Sequence, residues 1–178
     1  PDLPSNRWQA IDDVPMPAGA IKVFMEFSRR YYPDMLYYGG LGDYMNDNNG
    51  EKIFYDAMFR KDSSRNIFAL FCVGDRALEY TNLPDEQIIT KLLGELDEMF
   101  DGKPSQTYIK GVVQNWTAEP HIGVSYSHHT NANRALDTIT EPISNKIYFA
   151  GEALDKESWA TVHGAARSAY TAVGLMAG

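Results

Sequence analysis

The chain of 178 residues has a single cysteine, Cys72, so no disulfide can close within it. Cys72 lies in the apolar run Asn66-Ile-Phe-Ala-Leu-Phe-Cys-Val73, where a free thiol behaves as a small hydrophobe. Positive charge is also scarce. Sixteen Lys and Arg against 24 Asp and Glu leave a formal net charge of −8, and the basic residues are scattered. That excludes a Lys/Arg stripe of the kind that tracks a phosphate backbone, so no nucleic-acid partner is expected. No apolar run reaches the roughly 18–20 residues of a helical membrane span, so no span is expected. His121, His128 and His129 lack carboxylate and cysteine companions, and no His-Glu-x-x-His occurs, so no metal site is expected. Neither Gly-x-Ser-x-Gly nor a Cys/His pair points to a covalent hydrolase. Gly-x-Gly-x-x-Gly is missing too, and with it the pyrophosphate-binding turn of a dinucleotide fold. The first residue is Pro1, not Met, which reads as a processed or cut polypeptide.

What is present suits a packed body. Hydrophobic residues make up 44% of the chain, with eleven Tyr, eight Phe and three Trp, enough for one good core but too few for two full domains. A short helix is expected near Trp8. Strands are expected at 20–27, 52–59, 66–73 and 107–116, with a hairpin link at 60–65 making the second and third antiparallel neighbours. Glycine and asparagine mark an irregular segment at 39–50. The clearest helix is 84–101, with Ile88, Leu92 and Leu96 on one face, acids in its first turn and Gly102 at its end. Residues 118–141 read as a polar loop, followed by a strand at 146–150 and a small-residue helix at 160–176. Strands and helices in this mixed order give an α+β class with a mixed sheet. The final strand and helix read as a separate element, dividing the chain at 1–140 and 141–178.

Four places carry chemistry. In Lys146-Ile-Tyr-Phe-Ala-Gly-Glu152 a short apolar run closes on Gly151-Glu152. A carboxylate there is acceptor-only when ionised and suits sugar or ribityl hydroxyls; the bland alternative is a surface acid beside a turn. Ala160-Thr-Val-His-Gly-Ala165 then opens a helix, whose N-terminus presents unpaired N–H groups and partial positive charge. Its small residues allow close approach, although an ordinary packing helix would also use them. Asn115-Trp116 ends a strand, and Tyr126 follows ten positions after the tryptophan; a core Trp and a loop Tyr are the alternative. Lys22 sits mid-strand in Ala20-Ile-Lys-Val-Phe, and on the strand alone it reads as solvent-facing on an edge.

In this order the four words resemble the flavin-dependent amine oxidases, a family that includes monoamine, polyamine and L-amino-acid oxidases. The resemblance covers nearly the whole chain and corresponds to the C-terminal portion of such an enzyme. It implies a substrate-binding domain over 1–140 and, over 141–178, a strand and helix that complete an FAD-binding dinucleotide domain. The resemblance places Gly151, Glu152, Ala160, Thr161 and Val162 at the flavin, with Glu152 on the ribityl chain. Tyr126, Trp159 and Thr161 would line the substrate pocket. Lys22, Trp116 and Tyr126 would be the catalytic group, with Lys22 holding a water against flavin N5 and assisting reaction with oxygen. His163 reads as a surface residue.

Two departures refine the resemblance. Ser125 stands where monoamine oxidases carry the cysteine of a covalent flavin, so FAD is expected to be non-covalent. Thr161 stands in place of a second cage tyrosine. The implied function is oxidation of a C–N bond in a small amine or amino acid by hydride transfer to FAD, with O2 reduced to H2O2. The implied partner is the N-terminal dinucleotide-binding half or chain of the same enzyme, in a hetero- or homo-oligomer, either as a cut domain or after proteolytic processing. A non-catalytic interaction domain, or a desaturase- or protoporphyrinogen-oxidase-like flavoprotein, is the alternative.

Overall fold

The structure, a computed structural model, describes residues 3–14, 16, 19–37, 50–127 and 133–177. The irregular segment at 39–49 and the His128-His129 pair lie outside the described residues. Contacts divide the chain into two compact units, Ala18–Ser125 and a second built from Pro1–Pro17 with Tyr126–Gly178. This division differs from the 140/141 boundary read from the sequence. Helix α1 (Ser5–Asp12) accounts for the difference, because it packs on helix α5 (Asn133–Thr140). Ala10, Ala135 and Ile139 form a small core there. The buried Arg7 guanidinium donates to the Ile139 carbonyl at 2.5 Å and to that of Glu141, so a cation satisfies carbonyls that the helix end leaves open.

The Ala18–Ser125 unit is a five-stranded sheet in the order β2-β3-β4-β1-β5. The strands are β1 (Ala20–Phe27), β2 (Met35–Tyr37), β3 (Lys52–Asp56), β4 (Asn66–Val73) and β5 (Tyr108–Asn115). Every pairing among the described strands is antiparallel, which corrects the expected mixed sheet. The short link from β3 to β4 suits an antiparallel pair, whereas β1 meets β4 and β5 across long stretches of chain. Strand β1 alternates strictly: Ile21, Val23, Met25 and Phe27 are buried, while Lys22, Phe24 and Glu26 are half-buried on the other face. The buried face meets Phe54 of β3, then Phe68, Leu70 and Cys72 of β4. Helices α2 (Asp75–Thr81) and α3 (Asp85–Met99) contribute Ala77, Tyr80, Ile88, Leu92 and Leu96 to the same core. Burial pushes the Cys72 thiol up to about 12, so it stays protonated and inert, as its apolar run suggested.

Aromatic rings organise this core. Phe68 stacks on Tyr32 at 4.2 Å between centroids and on Phe54 at 5.4 Å. Lys52 and Tyr80 are buried polar groups that satisfy each other, with Glu95 closing the set: its carboxylate accepts from Lys52 at 2.5 Å and from the Tyr80 hydroxyl at 2.7 Å. Phe68→Ala removes a fully buried ring from between two others and is expected to destabilise this unit by about 3–5 kcal/mol. Urea denaturation measures that loss; a cost under about 1 kcal/mol would contradict the stacked arrangement.

The remaining differences lie outside the sheet. Residues 118–141 are not all loop, because α5 occupies Asn133–Thr140. Helix α2, not expected from the sequence, follows Gly74 and precedes the long helix. No strand forms at 146–150 among the described residues; Ile143 and Ile147 make one antiparallel bridge instead. A strand persists only where a neighbour completes its hydrogen bonds, and none of the described strands pairs with this run.

Candidate functional site

The 151–164 segment of the second unit gathers six of the site residues picked out from the sequence: Gly151, Glu152, Trp159, Ala160, Thr161 and Val162. Helix α6 (Val162–Ala177) turns Gly164, Ser168 and Ala172 inward at four-residue spacing. Gly164 is required there. A Cβ at that position would lie 2.0 Å from the Ser158 carbonyl oxygen, so only a bare backbone permits the approach. This supplies a structural reason for a glycine near the helix start, where propensity alone disfavours it.

Thr161 caps the helix. Its hydroxyl accepts from the Gly164 N–H at 3.0 Å and donates to the Ser158 carbonyl. A threonine immediately before the first helical residue was the signal available in the sequence. Val162 and His163, the first two helical residues, carry N–H groups without intrahelical partners. Val162 is 90% exposed, so this end of the helix is open.

Glu152 lies in a single helical turn (Glu152–Leu154) directly after Gly151. Its carboxylate accepts from the Ser127 N–H at 2.9 Å, the Ser127 hydroxyl at 2.7 Å and the Ala160 N–H at 2.6 Å. A carboxylate has about four acceptor positions, so Glu152 is largely committed to tying residues 127 and 160 together, with one position to spare. Ala160 takes φ of 57°, a left-handed conformation that costs an L-residue roughly 1–2 kcal/mol. The bond to Glu152 holds it there, and backbone strain of this kind is concentrated at functional sites. Gly151 is fixed from behind, its N–H donating to the Ser168 hydroxyl at 2.9 Å, while the space its side chain would fill is empty for 4 Å. Trp159 and Tyr126 belong to the same unit and are half-buried.

The other two candidates lie in the sheet unit. Lys22 is not on an edge, since β1 runs between β4 and β5. Its ammonium stands 5.5 Å from the centroid of the Phe71 ring, the residue directly opposite it on β4. A half-buried central lysine over an aromatic face replaces the wet edge position expected from the strand alone. Trp116 follows β5, its N–H donating to the Ala20 carbonyl at 3.0 Å. Its neighbours are anchored on both sides: the Asn115 amide donates to the Thr81 carbonyl at 2.7 Å, and the Thr117 hydroxyl accepts from the Ala20 N–H at 2.8 Å. Trp116 itself remains 39% exposed. Lys22 and Trp116 therefore share the same end of the sheet.

Sequence reasoning missed one further pair. Asp155 is nearly buried and accepts from the Arg167 Nε at 2.6 Å, with the Ser158 and Glu157 N–H groups also on its carboxylate. The Arg167 guanidinium and those N–H groups hold the Asp155 carboxyl well below the usual carboxylate range, against the opposing effect of burial. Arg167 is the only Lys or Arg in α6, and that isolation was the signal available in the sequence.

The geometry of this segment fits a flavin in two respects: an open helix N-terminus suits an electron-rich ring edge, and Gly151 leaves room for close approach. Comparison with known proteins identifies the family. The chain belongs to the flavin containing amine oxidoreductase family, which matches residues 1–177. It is 24% identical over 168 residues to the lysine-specific histone demethylase 1B of Mus musculus, covering 93% of this chain and 20% of that protein. It is 26% identical over 174 residues to polyamine oxidase 4 of Oryza sativa subsp. japonica, covering 97% of this chain and 34% of the relative. The fold resembles that of a putrescine oxidase solved with putrescine bound, at a TM-score of 0.73 and 18% identity, over 100% of this chain and 39% of that one. The chain thus spans between a fifth and two-fifths of the length of these three proteins.

Gly164→Ala tests the frame directly. The added methyl must displace the Ser158 carbonyl, at an expected cost of about 1–3 kcal/mol. Thermal denaturation of the variant should show a clear fall in Tm. An unchanged Tm would mean that the turn does not rest on the helix as described.

Proposed function

We propose that this chain forms the substrate-binding and flavin-closing part of an FAD-dependent amine oxidase. The observation that carries this reading is the 151–164 frame, where Glu152, Ala160 and Thr161 are hydrogen-bonded into place beside the open first turn of α6. Bound FAD would supply the redox chemistry, accepting hydride from the amine carbon and passing electrons to O2 to give H2O2. The protein positions and stabilises. The Val162 and His163 N–H groups, with the helix dipole behind them, favour negative charge at the ring edge. Glu152 offers its remaining acceptor position to a ribityl hydroxyl, and Gly151 permits the approach. Lys22 holds a water on the N5 side.

Tyr126 and Trp116 orient the amine, with Thr161 and Trp159 lining the pocket. The imine product then hydrolyses in water. FAD is non-covalent in this scheme, because Ser125 offers a hydroxyl where a thioether would need a cysteine. The substrate is a primary or secondary amine, amino acids included, and relatives named as lysine-specific histone demethylases and polyamine oxidases support an amine.

The partner is the dinucleotide-binding half of the same enzyme, as one chain or as a processed, associated one. The exposed apolar residues Val162, Tyr170, Val173 and Met176 of α6 support such a partner. The internal commitment of Glu152 favours a second reading, a catalytically silent domain derived from an amine oxidase. One preparation separates the two. An oxidase contains FAD with an absorbance band and releases peroxide when amines are added, and its Lys22→Met variant reoxidises reduced flavin at least about tenfold more slowly, about 1.4 kcal/mol of barrier. A colourless assembly that yields no peroxide supports the silent domain. Flavin reoxidation unaffected by Lys22→Met would remove Lys22 from the scheme and favour a desaturase-like flavoprotein.

A further inference from the structure

Helix α6 is made of small and apolar residues apart from His163 and Arg167. Arg167 does not extend into solvent alone. Its Nε donates to Asp155 Oδ2 at 2.6 Å, its Nη2 to Asp155 Oδ1, and its Nη1 to Glu157 at 2.9 Å. Asp155, with a side chain only 6% exposed, also takes the Ser158 N–H at 2.6 Å and the Glu157 N–H at 3.1 Å. One carboxylate therefore closes the 155–158 turn on itself and bolts it to the second turn of the helix. The two-point geometry fixes orientation as well as distance, which a lysine could not do.

The contacts continue from that turn to the residues already described. The Ser158 carbonyl receives the Thr161 hydroxyl, Thr161 caps the Gly164 N–H, and the intervening Ala160 N–H reaches Glu152. Ala160 is strained, so its placement depends on what holds the turn at either end. We propose that Asp155 and Arg167 form a positioning pair that sets the 158–161 turn and the first turn of α6 against the flavin. This role rests on the reading of the segment as flavin-closing. Neither residue touches the reacting atoms; both act through Ser158 and Ala160.

The test uses the flavin-loaded protein and three variants: Arg167→Met, Arg167→Lys and Lys156→Ala. Lys156 lies in the same turn but pairs with Asp137, outside the frame. The readouts are the FAD dissociation constant and the visible circular dichroism of bound flavin, which reports ring orientation and does not move with a general loss of stability. Arg167→Met is expected to weaken FAD about tenfold, about 1.4 kcal/mol, and to change the flavin dichroism. Arg167→Lys should give a smaller change in the same direction, and Lys156→Ala should match the wild type. If Arg167→Met does not fold, Arg167→Lys decides. Wild-type affinity and dichroism in the deciding variant would overturn the pair while leaving the oxidase reading intact. A wild-type protein without flavin would overturn that reading, and the positioning role with it.

Discussion

The approach of the Ser158 carbonyl to Gly164 is the constraint on which the second unit depends. At 2.0 Å from a would-be Cβ, the carbonyl occupies the side-chain position itself, and the turn can rest on the helix only because nothing is there. With that contact made, each neighbouring group finds a partner. Thr161 spans the gap from Ser158 to the helix, Asp155 draws the turn toward Arg167, and Ser168 takes the Gly151 N–H from the far side. Strain at Ala160 is the cost of this arrangement, and the Glu152 carboxylate offsets it. Hydrogen bonds of this sort contribute about 1 kcal/mol each, so the frame is rigid by their number and not through any one of them.

The sheet unit relies on a different principle. Strand β1 divides its residues cleanly, with an apolar set turned to α2 and α3 and Lys22, Phe24 and Glu26 on the opposite face. A one-residue slip would exchange the two faces, which fixes the register strongly. Lys22 therefore holds its position through the pairing of β1 with β4 and β5, opposite Phe71 and Gln114. Trp116 is placed by the same ladder, one residue beyond its end.

Much of this was legible in the sequence, and the reasons are local. Strands β1 and β4 have the bounds read from their periodicity, because their alternating or continuous apolar runs end in turn residues. The long amphipathic helix was equally plain. Helix α5 was not, since Asn133, Thr138 and Thr140 are poor helix formers and its stability comes from α1 and the Arg7 guanidinium, distant in sequence. The run at 146–150 has strand composition without a described neighbour to pair with, so composition misled. Glu152 and Thr161 were found as residues but with incomplete roles. Their hydrogen bonds to Ser127, Ala160 and Gly164 depend on a loop path that no periodicity encodes. Family membership, in turn, follows from the match over residues 1–177.

The proposed flavin site is the 151–164 frame at the open end of α6. Amide hydrogen exchange with and without added FAD tests it most directly, because Val162 and His163 carry the N–H groups that lack intrahelical partners. FAD is expected to slow exchange at Val162 and His163 and to leave the core of the sheet, at Val23 and Leu70, unchanged. Exchange at 162–163 that is indifferent to FAD bound at full occupancy would contradict it.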